Sequence, residues 1–189
     1  MNRRIFLQHR VIIPVVIMAF SACARSQHDT AQNHDTTTTQ DTAKTMEAAQ
    51  PVEKLDKPLK EWRSLLTPEQ YAVLFEEDTE RPFSSPLNKE KREGTFICAA
   101  CNLPLFHSQA KFESGTGWPS FYEPIAGHIG TDRDFKLITP RTEYHCIRCS
   151  GHQGHVFDDG PRPTGQRWCN NGVALKFVPK DEELPALRR

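Results

Sequence analysis

The sequence has no net charge: 24 Lys and Arg balance 24 Asp and Glu over 189 residues. A neutral chain has no global field with which to hold DNA or RNA, so nucleic acid is not an expected partner. Methionine is scarce, at three, while fourteen prolines and ten glycines punctuate the chain. Together these argue against a helical bundle. Apolar residues are also short, at 37% against a usual ~45–50%, and mean hydropathy is −0.61. Part of the chain is therefore not expected to pack. Only one long apolar run exists, which excludes a multi-span membrane protein. Six cysteines are too few, at this length, for a small disulfide scaffold. The length suits about one domain.

The apolar run, Val11–Phe20, follows a basic start containing Arg3, Arg4 and Arg10. It spans about ten residues, short of the roughly 17–25 that a spanning helix needs. Small residues Ser21 and Ala22 come next, then Cys23. Charged, apolar, small: residues 1–22 read as an export signal. Phe20-Ser21-Ala22-Cys23 resembles a bacterial lipoprotein cleavage box, which makes Cys23 the expected lipidation site and a membrane the expected partner. The alternative is a plain signal peptide with an incidental cysteine. Asn2–Gln8 also resembles a twin-arginine export motif; an ordinary basic start is the other reading. The expected location is the bacterial cell envelope or periplasm. Ser26–Gln50 contains no Ile, Leu, Val or aromatic residue, so it cannot offset its ordering entropy by burial. Residues 23–57 are expected to be a lipid anchor and a disordered Thr/Gln-rich spacer. A folded domain over 58–180 and a C-terminal tail over 181–189 complete the chain.

Thr67-Pro68-Glu69-Gln70 offers an N-cap, a proline at the first helical position and a Gln to close a capping box. Tyr71, Leu74 and Phe75 then share a face, and the helix should end near Glu77. Trp62, Leu65 and Leu66 suggest a shorter turn of helix before it. Beyond Pro82 the pattern predicts short strands at Thr95–Cys98, Phe135–Ile138, Glu143–Ile147, Gly154–Phe157, Gln166–Asn170 and Val173–Val178. The expected fold is mainly β: an antiparallel barrel or sandwich of short strands with a small N-terminal helical segment.

Cys98-Ala-Ala-Cys101 and Cys146-Ile-Arg-Cys149 are two CxxC pairs, with 44 residues between Cys101 and Cys146. Four thiolates so arranged suit tetrahedral zinc. All four positions are sulfur, which leaves no place for water and points to a structural ion. The separation exceeds that of a usual zinc ribbon, so the knuckles should clip two distant hairpins together. Asn102 and Gly151, just past the two pairs, tolerate the positive φ of such turns. The competing arrangement is two disulfides.

Cys169 is left over. In an extended strand Arg167, Cys169 and Asn171 project to one side, and a cation two residues from a thiol favours the thiolate. Upstream, His152 and His155 sit among glycines and could converge from a loop as acids or hydrogen-bond donors. Taken alone, such a pair is more often structural or solvent-facing; the lone thiol nearby in sequence raises the functional reading. Gly115–Phe121, carrying Trp118, reads as a rigid aromatic loop that could wall a pocket for a methyl group or a sulfur centre; the other reading is a turn packed on the core.

Together, Gly115–Phe121, the CxxC pairs, Gly151–Phe157 and Gly165–Asn171 resemble the B-type methionine sulfoxide reductases, and Thr79–Ser84 and Asp159-Gly160-Pro161 fit as well. The resemblance runs from about Leu59 to Val178. It implies a β-fold around a sulfoxide pocket, with one structural zinc per chain away from the reacting sulfur. It implies Cys169 as the nucleophile, with His152, His155 and Asn171 around the substrate oxygen and the nucleophile. Trp118 would receive the substrate's S-methyl, and Phe157, Arg167 and Asp159 would line or support the site. Cys98, Cys101, Cys146 and Cys149 would hold the metal. The implied substrate is the R epimer of methionine sulfoxide in proteins or peptides, and the implied role is repair of oxidised envelope proteins by a monomer.

Three positions depart from the family pattern. Thr116 stands where many members carry a resolving cysteine, so the Cys169 sulfenic acid should be reduced by an external thiol or thioredoxin-like protein. Trp168 stands where tyrosine is frequent, and Gly172 where serine is; both should be tolerated. Two rivals compete with the reductase reading. A non-catalytic zinc module would keep its function in Cys169→Ser. A Cys–His hydrolase would need an oxyanion hole, and no strand-to-helix nucleophile turn surrounds Cys169.

Overall fold

The computed structural model describes residues 51–137 and 139–189. The expected export signal, Cys23 and the spacer up to residue 50 lie outside the described residues. The described chain forms α1 (Leu59–Leu65), α2 (Pro68–Glu76), β1 (Gly94–Cys98), β2 (Pro104–His107), β3 (Lys111–Phe112), β4 (Ser120–Phe121), β5 (Ile129–Asp134), β6 (Arg141–Cys146), β7 (His152–Phe157), β8 (Arg167–Asn170) and β9 (Leu175–Pro179). The α2 capping box is reciprocal: the Gln70 amide donates to Thr67 Oγ1, and the Thr67 amide to Gln70 Oε1, each at 3.2 Å. The helix stops at a left-handed C-cap, Glu77. Its buried face is Tyr71, Val73 and Leu74; Phe75 stacks on Trp62 of α1, 5.4 Å between centroids.

Two antiparallel sheets follow. One has the order β2-β1-β9 and the other the order β3-β4-β8-β7-β6-β5. Their inner faces meet through aromatic rings. Phe106 of β2 stacks on Phe121 of β4 at 4.2 Å, Phe96 of β1 meets the same ring edge-on at 4.9 Å, and Tyr144 of β6 meets Phe106 edge-on at 6.1 Å. Phe96, Phe106, Phe121 and Tyr144 are fully buried. Each ring's burial contributes about 1.5–3 kcal/mol. This is the expected mainly antiparallel β fold, with its helical segment at the N-terminal end.

The strand expected at Phe135–Ile138 is corrected. The strand is β5, the polar stretch before it, and Ile138 lies outside the described residues. The Lys136 amide donates to Asp134 Oδ1 at 2.8 Å, a local side-chain turn that ends the strand. Phe135 and Leu137 are left exposed. β5 pairs only with β6, and an edge strand tolerates polar residues. The strand expected from Val173 begins instead at Leu175, after a 3-10 turn at Gly172–Ala174. Chain contacts with the domain begin before residue 58. The Leu55 amide donates to the Arg148 carbonyl at 2.7 Å, and Val52 and Leu55 pack on the core.

Candidate active site

The outer face of the six-stranded sheet carries a row of polar side chains in register. Ser120 pairs with Cys169, Cys169 with His155, His155 with Glu143, and Glu143 with Asp132. Paired residues share a face, and the next positions along, Arg167 opposite Phe157 and Arg141 opposite Asp134, lie on that face too. The alternate positions, Tyr144 and Trp168, point into the core, so one alternation builds both the core and the site.

His152 and His155 do share this face, but from a strand rather than a loop. Three residues apart, they should point to opposite sides of a regular strand. The register of β6 and β7 slips between Tyr144 and His145, which makes Gln153 an extra residue in β7. This bulge returns His152 to the face of His155, and the two rings lie 5.5 Å apart. Each imidazole holds a carboxylate: His152 Nδ1 to Glu143 Oε1 at 2.6 Å, and His155 Nε2 to Asp134 Oδ2 at 2.8 Å. Burial disfavours the imidazolium of His155, against the pull of Asp134.

Cys169 is half-buried. Burial pushes its thiol up, while the Arg167 cation and the Thr116 hydroxyl pull it back without prevailing. Arg167 does favour the thiolate, as expected, but desolvation outweighs it. Thr116 belongs to a hydroxyl chain in which Ser114 Oγ lies 2.9 Å from Thr116 Oγ1 and 2.8 Å from Ser120 Oγ. Arg167 is held bidentately by Asp159, at 2.8 and 2.9 Å, with its guanidinium 4.2 Å from the Phe157 centroid.

Trp118 and Asn171 meet at Glu80. Trp118 Nε1 donates to the Glu80 carbonyl at 3.1 Å, the Glu80 amide to Asn171 Oδ1 at 3.1 Å, and the Glu80 carboxylate accepts from the amides of Gly172 and Val173. Asn171 Nδ2 donates to the Gln153 carbonyl at 3.1 Å. Both ends of the Asn171 side chain are therefore spent on protein, bracing the bulge beside β8 rather than facing a substrate. Glu80, Asp134, Arg141 and Glu143 are the residues that sequence reasoning missed. Alternation in β5 and β6 could have put the last three on one face.

The four CxxC sulfurs are buried and lie within 4.8 Å of one another. Cys98 Sγ is 3.7 Å from Cys149 Sγ, and Cys101 Sγ is 3.5 Å from Cys146 Sγ. A disulfide would bring them to about 2.05 Å. A tetrahedral ion with bonds of about 2.3 Å sets sulfur–sulfur edges at roughly 3.8 Å, so the cluster fits a closed structural metal site. It ties the end of β1 in one sheet to the β6–β7 turn of the other. The left-handed residues are Asn102 and Ser150, each donating its amide back to the first cysteine of its pair. Gly151 is needed for space instead: a Cβ there would stand 2.9 Å from Leu74 Cδ2.

Residues 66–179 match the SelR domain. The chain belongs to this family. Named relatives are peptide methionine sulfoxide reductases MsrB. That of Pseudomonas fluorescens is 55% identical over 130 residues, 68% of this chain and all of the relative. That of Bradyrhizobium diazoefficiens is 52% identical over 129 residues, 68% of this chain and 93% of the relative. That of the archaeon Methanosarcina mazei is 50% identical over 130 residues, with the same coverage. Membership in the SelR family bears out the resemblance to B-type methionine sulfoxide reductases and makes the chain an oxidoreductase of that class. The glycine at 172 has a local reason. A Cβ there would meet Ser85 Oγ at 2.0 Å, so Ser85 fills the space a side chain at 172 would need.

Proposed function

We propose that the chain reduces methionine-R-sulfoxide, in proteins and peptides, by attack of the Cys169 thiolate on the sulfoxide sulfur. The observation that carries this reading is the cross-strand pairing of Cys169 with His155, beside Arg167 and the Trp118 loop. The Cys169 thiol gives its proton to His155, and the resulting imidazolium, assisted by His152, delivers it to the sulfoxide oxygen. Cys169 sulfur is oxidised by two electrons and the sulfoxide sulfur is reduced by two. Methionine leaves, and Cys169 carries the oxygen as a sulfenic acid. Trp118 receives the S-methyl group, while Phe157, Arg167 and Asp159 shape and brace the pocket. Asn171 positions Glu80 and the bulge.

The ion in the four-cysteine site is zinc, held by Cys98, Cys101, Cys146 and Cys149, where it braces the two knuckles and stands apart from the reacting sulfur. Thr116 cannot form a disulfide. The sulfenic acid is therefore reduced by two equivalents of an external thiol, or by a thioredoxin-like protein, with release of water and a disulfide of the reductant. Residues 1–22 direct export, Cys23 carries the lipid, and the monomer repairs oxidised envelope proteins. Among the described residues no helix is long and apolar enough to cross a membrane.

Separated R and S epimers of a methionine sulfoxide peptide, offered with dithiothreitol, test the reaction. Turnover of the R epimer alone, lost in Cys169→Ser, is the expected result; turnover surviving in that variant would sink the assignment. Mass spectrometry of the protein from its own cells should find an acylated Cys23 at the mature N-terminus, and an unprocessed Met1 would refute export.

A further inference from the structure

The carboxylate of Asp134 collects three donors. Its Oδ1 accepts from the Lys136 amide at 2.8 Å; its Oδ2 accepts from Arg141 Nη2 at 2.5 Å and faces His155 Nε2 at 2.8 Å. The side chain is 5% exposed. An amide and a guanidinium can only donate, so both favour the carboxylate, and the remaining neighbour, imidazole Nε2, is a stronger base than a carboxylate and takes any shared proton. Asp134 is consequently a carboxylate, and a carboxylate can only accept. The proton between Asp134 and His155 must sit on Nε2.

We propose that Asp134 is a positioning residue that fixes the tautomer of His155, leaving Nδ1 of the neutral ring bare as the proton acceptor for Cys169. The consequence is an order of events. Neutral His155 has no N–H to offer a sulfoxide oxygen. It must first take the Cys169 proton on Nδ1, and only the imidazolium then has a proton to give. One proton thus travels from Cys169 Sγ to His155 Nδ1 and on to the oxygen, and the nucleophile and the acid are made in the same step.

The groups facing His155 divide by sign. Asp134 from β5 favours the imidazolium, while Arg141 from β6 and His152 within β7 oppose it. Glu143 from β6 is committed to His152 Nδ1, and Arg167 from β8 to Asp159. Asp134 is therefore the one carboxylate hydrogen-bonded to the ring among the described residues. Arg141 and His155 Nε2 meet the same oxygen, Oδ2, so an Asn at 134 could still offer its carboxamide oxygen to both. Asp134→Ala removes that acceptor, and Nε2 then has no carboxylate to hold its proton.

This inference rests on the reading of Cys169 and His155 as the reacting pair, but its primary readout does not. In the zinc-loaded full chain with ¹⁵N-labelled histidine, the His155 resonances are assigned by their absence in His155→Gln. The expected spectrum at neutral pH shows a protonated Nε2 and a bare Nδ1. Asp134→Ala should show a mixture of the two tautomers and lose kcat by about 10²-fold with KM little changed, and Asp134→Glu should restore part of it. An Nδ1–H tautomer in the wild-type chain overturns the proposal, as does an Asp134→Ala protein that keeps both the wild-type tautomer and its kcat. Should that variant fail to fold, the wild-type spectrum alone decides. Activity that survives loss of Cys169 would refute the functional reading and leave the tautomer measurement standing.

Discussion

Arg167 takes part in three contacts at once: it forks onto Asp159, lies over the Phe157 ring and faces the Cys169 thiol. A fork matched to two oxygens is a pre-organised arrangement that lysine could not reproduce. The pair with Asp159 is open to solvent on the carboxylate side, at 64% exposure, so it adds little stability, under about 1 kcal/mol. Its consequence is electrostatic. Burial holds the thiol up, and the cation is the largest influence opposing that. Alkylation of Cys169 by iodoacetamide should therefore accelerate as pH rises toward the thiol's raised pKa. Arg167→Met should slow it at pH 8 and shift the whole profile to higher pH, with unfolding temperature little changed. A profile unmoved by the substitution would show that the cation does not act on the sulfur.

At the scale of elements, β7 decides the site. Its bulge at Gln153 brings two histidines to one face, and its Gly154 lets β8 come close. A Cβ at 154 would stand 1.9 Å from the Cys169 carbonyl, and backbone cannot give way as a side-chain tip can. Gly154→Ala should cost about 3 kcal/mol or more, read by urea unfolding, and should lower activity through displacement of β8. A change within the error of the measurement would mean that the two strands separate freely. This element also marks how far the sequence could be read. The CxxC pairs were legible because spacing alone brings their sulfurs together. Cys169 stood out as the remaining thiol, and the alternation of Arg167, Trp168 and Cys169 matches β8. The histidine pair could be suspected but not oriented, since period-two logic separates residues 152 and 155 and nothing local announces a bulge. The partners of the imidazoles were hidden for a different reason: Asp134 and Glu143 come from other strands, and only sheet register brings them to β7. The apolar run at Phe135 misled because an aspartate turn outcompetes β-propensity at a sheet edge.

At the scale of the molecule, the metal cluster is the fastener between the sheets, and both ends of the described chain run over it. The Arg188 amide donates to the Cys101 carbonyl at 3.0 Å, Asn102 Nδ2 to the Ala186 carbonyl at 3.0 Å, and Leu55 hydrogen-bonds Arg148 between the second pair of cysteines. Four buried thiols with no ion among them would repel as they ionise, so an ion held there should stabilise the fold. Elemental analysis should find one zinc per chain. Its removal by a strong chelator should lower the unfolding temperature by at least about 10 °C, and Cys146→Ser should behave like the stripped protein. An unfolding temperature indifferent to the chelator would contradict a structural ion. The polar row around Cys169 lies on the outer face of the larger sheet, and the four cysteines stand at its β6–β7 end, so an ion there would support that face without entering it.

On the proposed mechanism Cys169 alone carries the oxidising equivalent through the cycle. The most direct measurement is a single turnover. The reduced, zinc-loaded chain is mixed with one equivalent of methionine-R-sulfoxide peptide and no reductant, trapped with a sulfenic-acid reagent, and read by peptide mass spectrometry. The expected result is one methionine formed per chain and the trap on Cys169, with the four metal-binding cysteines unchanged. Product accompanied by a disulfide from Cys169 to another cysteine of the chain would contradict the account.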